Sequence, residues 1–180
     1  MSADSNANGL RKCHFSKQYM QILSDKIEAE RKFLVDVVGV IPECRKLEIV
    51  QTYLIKFNGF NNRIRKITEN GNTVYIKTSK KTISSYERIE KEWQITREEY
   101  DDLMAMANPN KRPIHKIRQC IPWNNLTLEL DTFISPTLPH RLLEIEDVAE
   151  NEQLSFPPFI KVIEEVTGNP NYYNSNIAGQ

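Results

Sequence analysis

The sequence predicts an α+β protein, predominantly antiparallel β, with seven or eight strands able to close into a barrel beside flanking helices. Three observations carry this expectation. Apolar and charged residues alternate with period two through most of the chain from Ile27 onward. Turn dipeptides, Asn58-Gly59, Asn70-Gly71 and Asn124-Asn125, punctuate the alternating segments. One segment alone, around residues 96–107, carries a clear helical signature. A chain of 180 residues is one domain's length, and a 39% hydrophobic fraction is enough for a core in a chain of which 27% is charged.

Residues 1–26 open with the small, polar MSADSNANG and show a loose helical pattern through Phe15, Tyr19, Ile22 and Leu23, so they read as an extension with a mobile tip. Residues 27–178 read as the domain. Ile27 to Phe33 sets Glu28, Glu30 and Lys32 on one strand face against Ile27, Ala29 and Phe33 on the other. Arg63-Ile64-Arg65 places two guanidinium groups on one face, and Val74-Tyr75-Ile76-Lys77 sets Lys77 among apolar neighbours. Arg88, Glu90, Glu92 and Gln94 alternate with Ile89, Trp93 and Ile95. In TREEYDDLMAMANP, Thr96 caps a helix, Glu99 completes a capping box, and Asn108-Pro109 ends the pattern; Leu103, Met104 and Met106 are expected to fill core. Beyond it, Lys116-Ile117-Arg118 repeats the basic doublet, Glu129 and Asp131 alternate with Leu126, Leu128 and Leu130, and Glu144 and Glu146 flank Ile145. PPFIKVIEEVTG (157–168) fits either a helix or a strand.

Lys plus Arg equals Asp plus Glu at 24 each, which argues against nucleic-acid binding through a general excess of positive charge. No apolar run approaches the roughly 20 residues of a membrane helix, and no apolar h-region follows Arg11-Lys12. Cys13, Cys44 and Cys120 suit neither a disulfide framework nor a CxxC metal site. A soluble cytoplasmic protein with free thiols is expected. His14, His115 and His140 lack triad or ligand spacing, and Tyr53, Tyr172 and Tyr173 read as packing residues.

Any one of the charged doublets is an ordinary finish for the wet face of a sheet. Together they are segregated by sign: acids at 28–30, 129–131 and 144–146, bases at 63–65, Lys77 and 116–118. That segregation points to two complementary surfaces, one for cations and one for anions. In a barrel of about eight strands such a face can enclose one small ligand. The interior must then be hydrated, because dry burial of so many ions costs several kcal/mol apiece, and the apolar side chains face outward against helices. Carboxylates are hard ligands suited to Mg²⁺ or Mn²⁺, while Arg and Lys suit phosphate oxygens. The expected ligand is a metal-complexed polyphosphate or nucleotide.

Glu28-x-Glu30-x-Lys32 resembles the ExExK signature of the CYTH superfamily, the triphosphate tunnel metalloenzymes. QTYL (51–54), RIRK (63–66), VYIK (74–77), RIEKEWQI (88–95), KIRQ (116–119), LELDTF (128–133), LLEIE (142–146), EEVTG (164–168) and YYNSNIA (172–178) follow in the order that family shows. The resemblance spans Ile27 to Ala178 and is nearest to the short bacterial inorganic-triphosphatase branch. It implies an eight-stranded closed β-barrel tunnel that binds a triphosphate with divalent metal, two ions of Mg²⁺ or Mn²⁺. On matching positions Glu28, Glu30, Glu144 and Glu146 are the implied metal ligands, and Lys32, Arg63, Arg65, Lys77, Lys116 and Arg118 hold the phosphates. Arg88, Glu90 and Glu92 match as well, either as ligand contacts or as a charge network. Glu129 and Asp131 match an acidic pair that positions a second metal or the lysines, and with Lys32 they make up the implied catalytic set. The loop SPTLPHR (135–141) departs from the pattern in lacking glycine.

The implied reaction is hydrolysis of inorganic triphosphate to pyrophosphate and phosphate. The partner is then a small-molecule triphosphate, with no nucleic acid and no membrane; a homodimer stays open. The alternatives are a class IV adenylyl cyclase or a thiamine or nucleoside triphosphatase on the same fold, a non-catalytic polyphosphate or nucleotide binder, and a sheet domain acting through protein contacts.

Overall fold

The computed structural model describes residues 26–56, 59–82 and 87–179, apart from the side chains of 26–28, 82, 87 and 88. The expected extension therefore lies outside the described residues except for Lys26, which begins the first strand, and so does Asn58 of the first turn dipeptide. In chain order the strands are β1 (Lys26–Val37), β2 (Arg45–Tyr53), β3 (Asn61–Glu69), β4 (Asn72–Thr82), β5 (Glu87–Ile95), β6 (Ile114–Trp123), β7 (Leu126–Ser135), β8 (Arg141–Glu146) and β9 (Ile160–Glu165). Helix α1 (Arg97–Met104) follows β5, and a 3-10 turn (Pro170–Tyr172) leads into the short α2 (Asn174–Ile177). Among the described residues no helix is long and apolar enough to cross a membrane.

Two tight turns set the hairpin registers. Asn70 and Gly71 both take positive φ (49° and 80°), the geometry that suits the right-handed twist of a two-residue hairpin. They bring Glu69 opposite Asn72 and run the β3–β4 ladder back to Asn61 opposite Lys80. Asn124 and Asn125 do the same between β6 and β7 (φ 46° and 63°). Asn tolerates this region better than other residues bearing a Cβ.

The strands form an antiparallel sheet in the order β5-β4-β3-β2-β6-β7-β8-β1-β9. The 12-residue β1 serves three neighbours. Its first residues pair with β5 (Lys26↔Glu90 to Ala29↔Glu87), its middle with β8 (Glu30↔Glu146 to Val35↔Arg141) and its end with β9 (Phe33↔Glu165 to Val37↔Ile160). The ninth strand is the ambiguous 157–168 segment. The free edge of β1 supplies backbone partners there, and that tertiary pairing selects strand over helix.

Helix α1 carries the expected capping box: Glu99 N donates to Thr96 Oγ1 at 3.1 Å, and Thr96 N donates to Glu99 Oε2 at 2.7 Å. The expectation that its methionines fill core is corrected. Met104 and Met106 are 39% and 50% exposed, while Tyr100 and Leu103 pack on Leu54, Ile64 and Ile95. The helix has only eight residues, so one i,i+3 pair fills its docking face and the methionines fall on the other side or past its end.

One face of the sheet is apolar and covered. Phe33, Val35, Leu128, Leu130, Leu143 and Ile145 pack with Val148, Ile160 and the chain between them. The opposite face is not uniformly charged, as the sequence suggests, but apolar toward both ends. Leu47, Ile49, Ile67, Ile76 and Cys120 cluster at one end. Leu34, Ile114, Phe133 and Leu142 cluster at the other, beneath Ile177 and Ala178 of the C-terminal segment. Each such side chain contributes about 1.5–3 kcal/mol on burial, which offsets the cost of gathering ions between them. Cys44 and Cys120 are free thiols.

Candidate active site

Strand alternation delivers one charged residue from each turn of pleat to a common cavity. Glu30 and Lys32 of β1, Arg63 and Arg65 of β3, Lys116 and Arg118 of β6 and Glu144 of β8 all line it. The cavity, of about 90 Å³, is completed by Gln51, Tyr53 and Asn61, by Lys80 of β4, and by the C-terminal turn at Tyr173–Ser175. Cross-strand register explains the company each charge keeps: Lys32 faces Glu144, and Arg118 faces Asp131.

Arg118 is the hub. Its Nε and Nη2 donate to the two oxygens of Asp131 at 2.7 Å each, a bidentate fork. Nη2 also donates to Glu144 Oε2 at 2.6 Å, and Nη1 donates to Glu129. Lys116 Nζ donates to Asp131, and Lys32 Nζ lies 2.7 Å from Glu144 Oε1. A second cluster joins Arg63 and Lys80 to Glu90 (3.4 and 2.6 Å) and Arg65 to Glu92, with Thr78 Oγ1 also donating to Glu92. Glu90 and Glu92 therefore take part in a charge network.

These contacts set the protonation states. Burial opposes ionisation of Glu144, but Lys32, Arg118 and Lys116 outweigh it and hold the carboxyl well below its usual range. Burial likewise opposes ionisation of Glu90, and the charges of Arg63, Lys80 and Arg65 prevail, again depressing it. Lys116 moves down because burial and the Arg118 charge outweigh the attraction of Asp131 and Glu144. Burial pushes the Tyr53 hydroxyl up, with Arg63 opposing. Gln51 Nε2 donates to that hydroxyl at 2.9 Å.

Like charges sit opposite each other at two places, Glu129 across from Glu144 and Glu30 across from Glu146. Directly opposed like charges destabilise a sheet unless a counter-charge intervenes. Arg118 bridges the first pair. The second pair brings together two carboxylates, whose hard oxygens are the ligand type a divalent cation such as Mg²⁺ or Mn²⁺ takes. Among the described residues no three His, Cys, Asp or Glu side chains converge as a metal cluster.

Of the residues expected from sequence, Glu30, Lys32, Arg63, Arg65, Lys116, Arg118 and Glu144 meet at the cavity. Glu129 and Asp131 are buried against Arg118. Glu28 and Arg88 stand opposite each other in the β1–β5 ladder, with their side chains outside the description. Lys77 is a correction. It pairs with Ile64 and Trp93 on the other face, its Nζ 5.3 Å from the Trp93 ring centroid. Lys80, one pleat beyond Thr78, takes the place in the cavity that Lys77 was expected to hold. The Asn70-Gly71 turn held the signal, because a two-residue loop puts Lys77 opposite Ile64 and so off the face of Arg63 and Arg65. Tyr53 and Tyr173, read from the sequence as packing residues, line the cavity as well. His115 pairs with Glu48 at 2.8 Å and His140 with Asp36 at 2.9 Å, both away from it; His14 lies outside the described residues.

An antiparallel β fold that gathers paired acids and bases around one polar cavity matches the triphosphate tunnel fold that the sequence resembles. Among known proteins the chain is 29% identical over 150 residues to an inorganic triphosphatase from Acetivibrio thermocellus, covering 83% of this chain and 92% of that one. It also resembles the crystal structure of the inorganic triphosphatase NE1496 with a TM-score of 0.57 and 27% identity, covering 85% of this chain and 95% of the other. The PH1819 protein of Pyrococcus horikoshii shares the fold at a TM-score of 0.55 and 20% identity, over 69% of this chain and 80% of that one. No family model matches the sequence.

Proposed function

We propose that this protein hydrolyses inorganic triphosphate to pyrophosphate and orthophosphate inside a charged β tunnel, with a divalent metal. The carrying observation is the convergence of Lys32, Arg63, Arg65, Lys116 and Arg118 with Glu30 and Glu144 on one cavity, in a chain similar to two inorganic triphosphatases. The β1–β5 ladder, which links the two ends of an eight-strand circuit, supports reading the sheet as a closed barrel.

In this reading Arg63, Arg65 and Lys80 bind one side of the phosphate chain and Lys32, Lys116 and Arg118 the other. Phosphoryl transfer needs positioning and charge stabilisation more than covalent help. Asp131 and Glu129 hold Lys116 and Arg118 in place before substrate arrives, so the cations need no reorganisation as charge develops on the leaving oxygens. Lys32 exchanges Glu144 for a phosphate oxygen. Glu30 and Glu146, with Glu28 beside them, would hold the metal; the family resemblance implies two ions of Mg²⁺ or Mn²⁺. When bound, the metal supplies Lewis-acid neutralisation of phosphoryl oxygens. In the reaction a water oxygen bonds to the terminal phosphorus and the bridging P–O bond breaks. Pyrophosphate leaves with the bridging oxygen, and a proton is released.

Purified protein is expected to release phosphate from tripolyphosphate with Mg²⁺ or Mn²⁺, to lose that activity in EDTA, and to prefer tripolyphosphate when ATP and thiamine triphosphate are tested beside it. Turnover of ATP alone, with cyclic AMP as product, would overturn the assignment.

A further inference from the structure

The chain at Tyr173–Ser175 lines the central cavity and is held there by contacts on both sides. Lys32 Nζ donates to the carbonyl of Tyr172 at 3.3 Å, Tyr173 Oη to that of Gly168 at 3.0 Å, and Asn176 Nδ2 to that of Pro170 at 2.8 Å. Just beyond, Ile177 and Ala178 are buried with Leu34, Ile114 and Leu142. Asn174 is thereby fixed in place, yet its side-chain Oδ1 is buried and has no hydrogen-bond partner. Among the described residues it is the one side-chain acceptor in the cavity lining of which this is true. A buried acceptor without a donor costs about 1–3 kcal/mol, and a group left in that state calls for an atom from outside the protein. An ionised triphosphate does not supply it, because its oxygens accept hydrogen bonds and offer none. Water does.

We propose that Asn174 Oδ1 accepts a hydrogen bond from the water that attacks the terminal phosphorus, and so aims the lone pair of that water. This rests on the triphosphatase reading. Phosphoryl transfer needs its nucleophile held in line more than it needs a strong base, and an amide oxygen orients water without taking its proton. Of the carboxylates in the lining, Glu144 is engaged by Lys32 and Arg118, and Glu30 belongs to the pair assigned to the metal. The water oxygen bonds to phosphorus, and the bridging P–O bond breaks with its electron pair going to pyrophosphate. A proton passes to solvent, and Asn174 ends the step unchanged.

The test compares the full chain with Asn174→Ala and Asn174→Asp in tripolyphosphate hydrolysis with Mg²⁺, in calorimetric binding of pyrophosphate, and in urea unfolding. Asn174→Ala is expected to lower kcat about tenfold, as for one hydrogen bond made to the reacting water. KM and the pyrophosphate Kd should stay within about twofold. The urea midpoint should hold or rise, because the substitution removes an unsatisfied acceptor and breaks no side-chain hydrogen bond; a lower midpoint would mean that the side chain is structural. Asn174→Asp keeps an acceptor oxygen and loses the amide donor, so its kcat should lie closer to that of the parent than Asn174→Ala does. A kcat unchanged in Asn174→Ala, or a raised KM that is worse in Asn174→Asp, would overturn the role in favour of none or of an amide that donates to phosphate. Either result leaves the triphosphatase reading intact. Absence of phosphate release by the parent protein would overturn that reading and the water site with it.

Discussion

Asp131 is fully buried and accepts from both Lys116 and Arg118. The net worth of such a buried ion cluster against an apolar one is small, but removal of one partner leaves the others as uncompensated buried charge. Lys116 already sits in an environment that lowers its proton affinity. Asp131→Asn keeps the shape and removes the charge, and it is expected to cost about 3–5 kcal/mol in urea unfolding. A loss below about 1 kcal/mol would mean that water serves the two cations equally well. The acidic character of position 131 is legible in the alternation of LELDTF. That Arg118 takes it bidentately is not, because the pairing joins β6 to β7 across a ladder with a bulge next to Lys116.

Among elements, the β3–β4 hairpin decides which basic residues reach the cavity. Its turn places Arg65 opposite Ile76 and Ile64 opposite Lys77, so one face carries Arg63, Arg65, Thr78 and Lys80 and the other carries Ile64 and Lys77. Lys80→Gln is expected to lower kcat/KM for tripolyphosphate by about tenfold or more, as when a charge-assisted contact to substrate is lost. Lys77→Gln, which removes only a contact over Trp93, is expected to leave it within about twofold. Equal losses from both variants in a phosphate-release assay would contradict the assigned faces. The strand at 160–165 and the outward methionines of α1 belong to this scale too. Local pattern left 157–168 ambiguous and placed Met104 and Met106 in the core; the free edge of β1 and the two-turn length of α1 decided otherwise.

For the molecule as a whole, the gathered ions tie stability to pH. Glu144 and Glu90 are both held below the ordinary carboxyl value of 4.5. Their contribution is complete above that value. As pH falls below it, carboxyls of the unfolded chain take up protons while those of the folded chain stay ionised, and stability is lost until the folded groups protonate as well. The urea midpoint is expected to be flat from about pH 7 to about pH 5 and to drop steeply below about pH 4.5. A flat profile down to about pH 3 would show that the two carboxylates do not stabilise the fold.

By itself the sequence determined the antiparallel β character, the sign of each charged doublet, the two Asn-led hairpins and the capped helix. All of these are local: period two, turn chemistry and capping act within a few residues. Tertiary structure decided that the charges surround one cavity with apolar ends, and that Lys80 lines it instead of Lys77. Alternation divides a strand into two faces without saying which one turns inward. Only cross-strand register, accumulated around the sheet and joined through β1 to β5, brings side chains distant in sequence within ion-pairing distance.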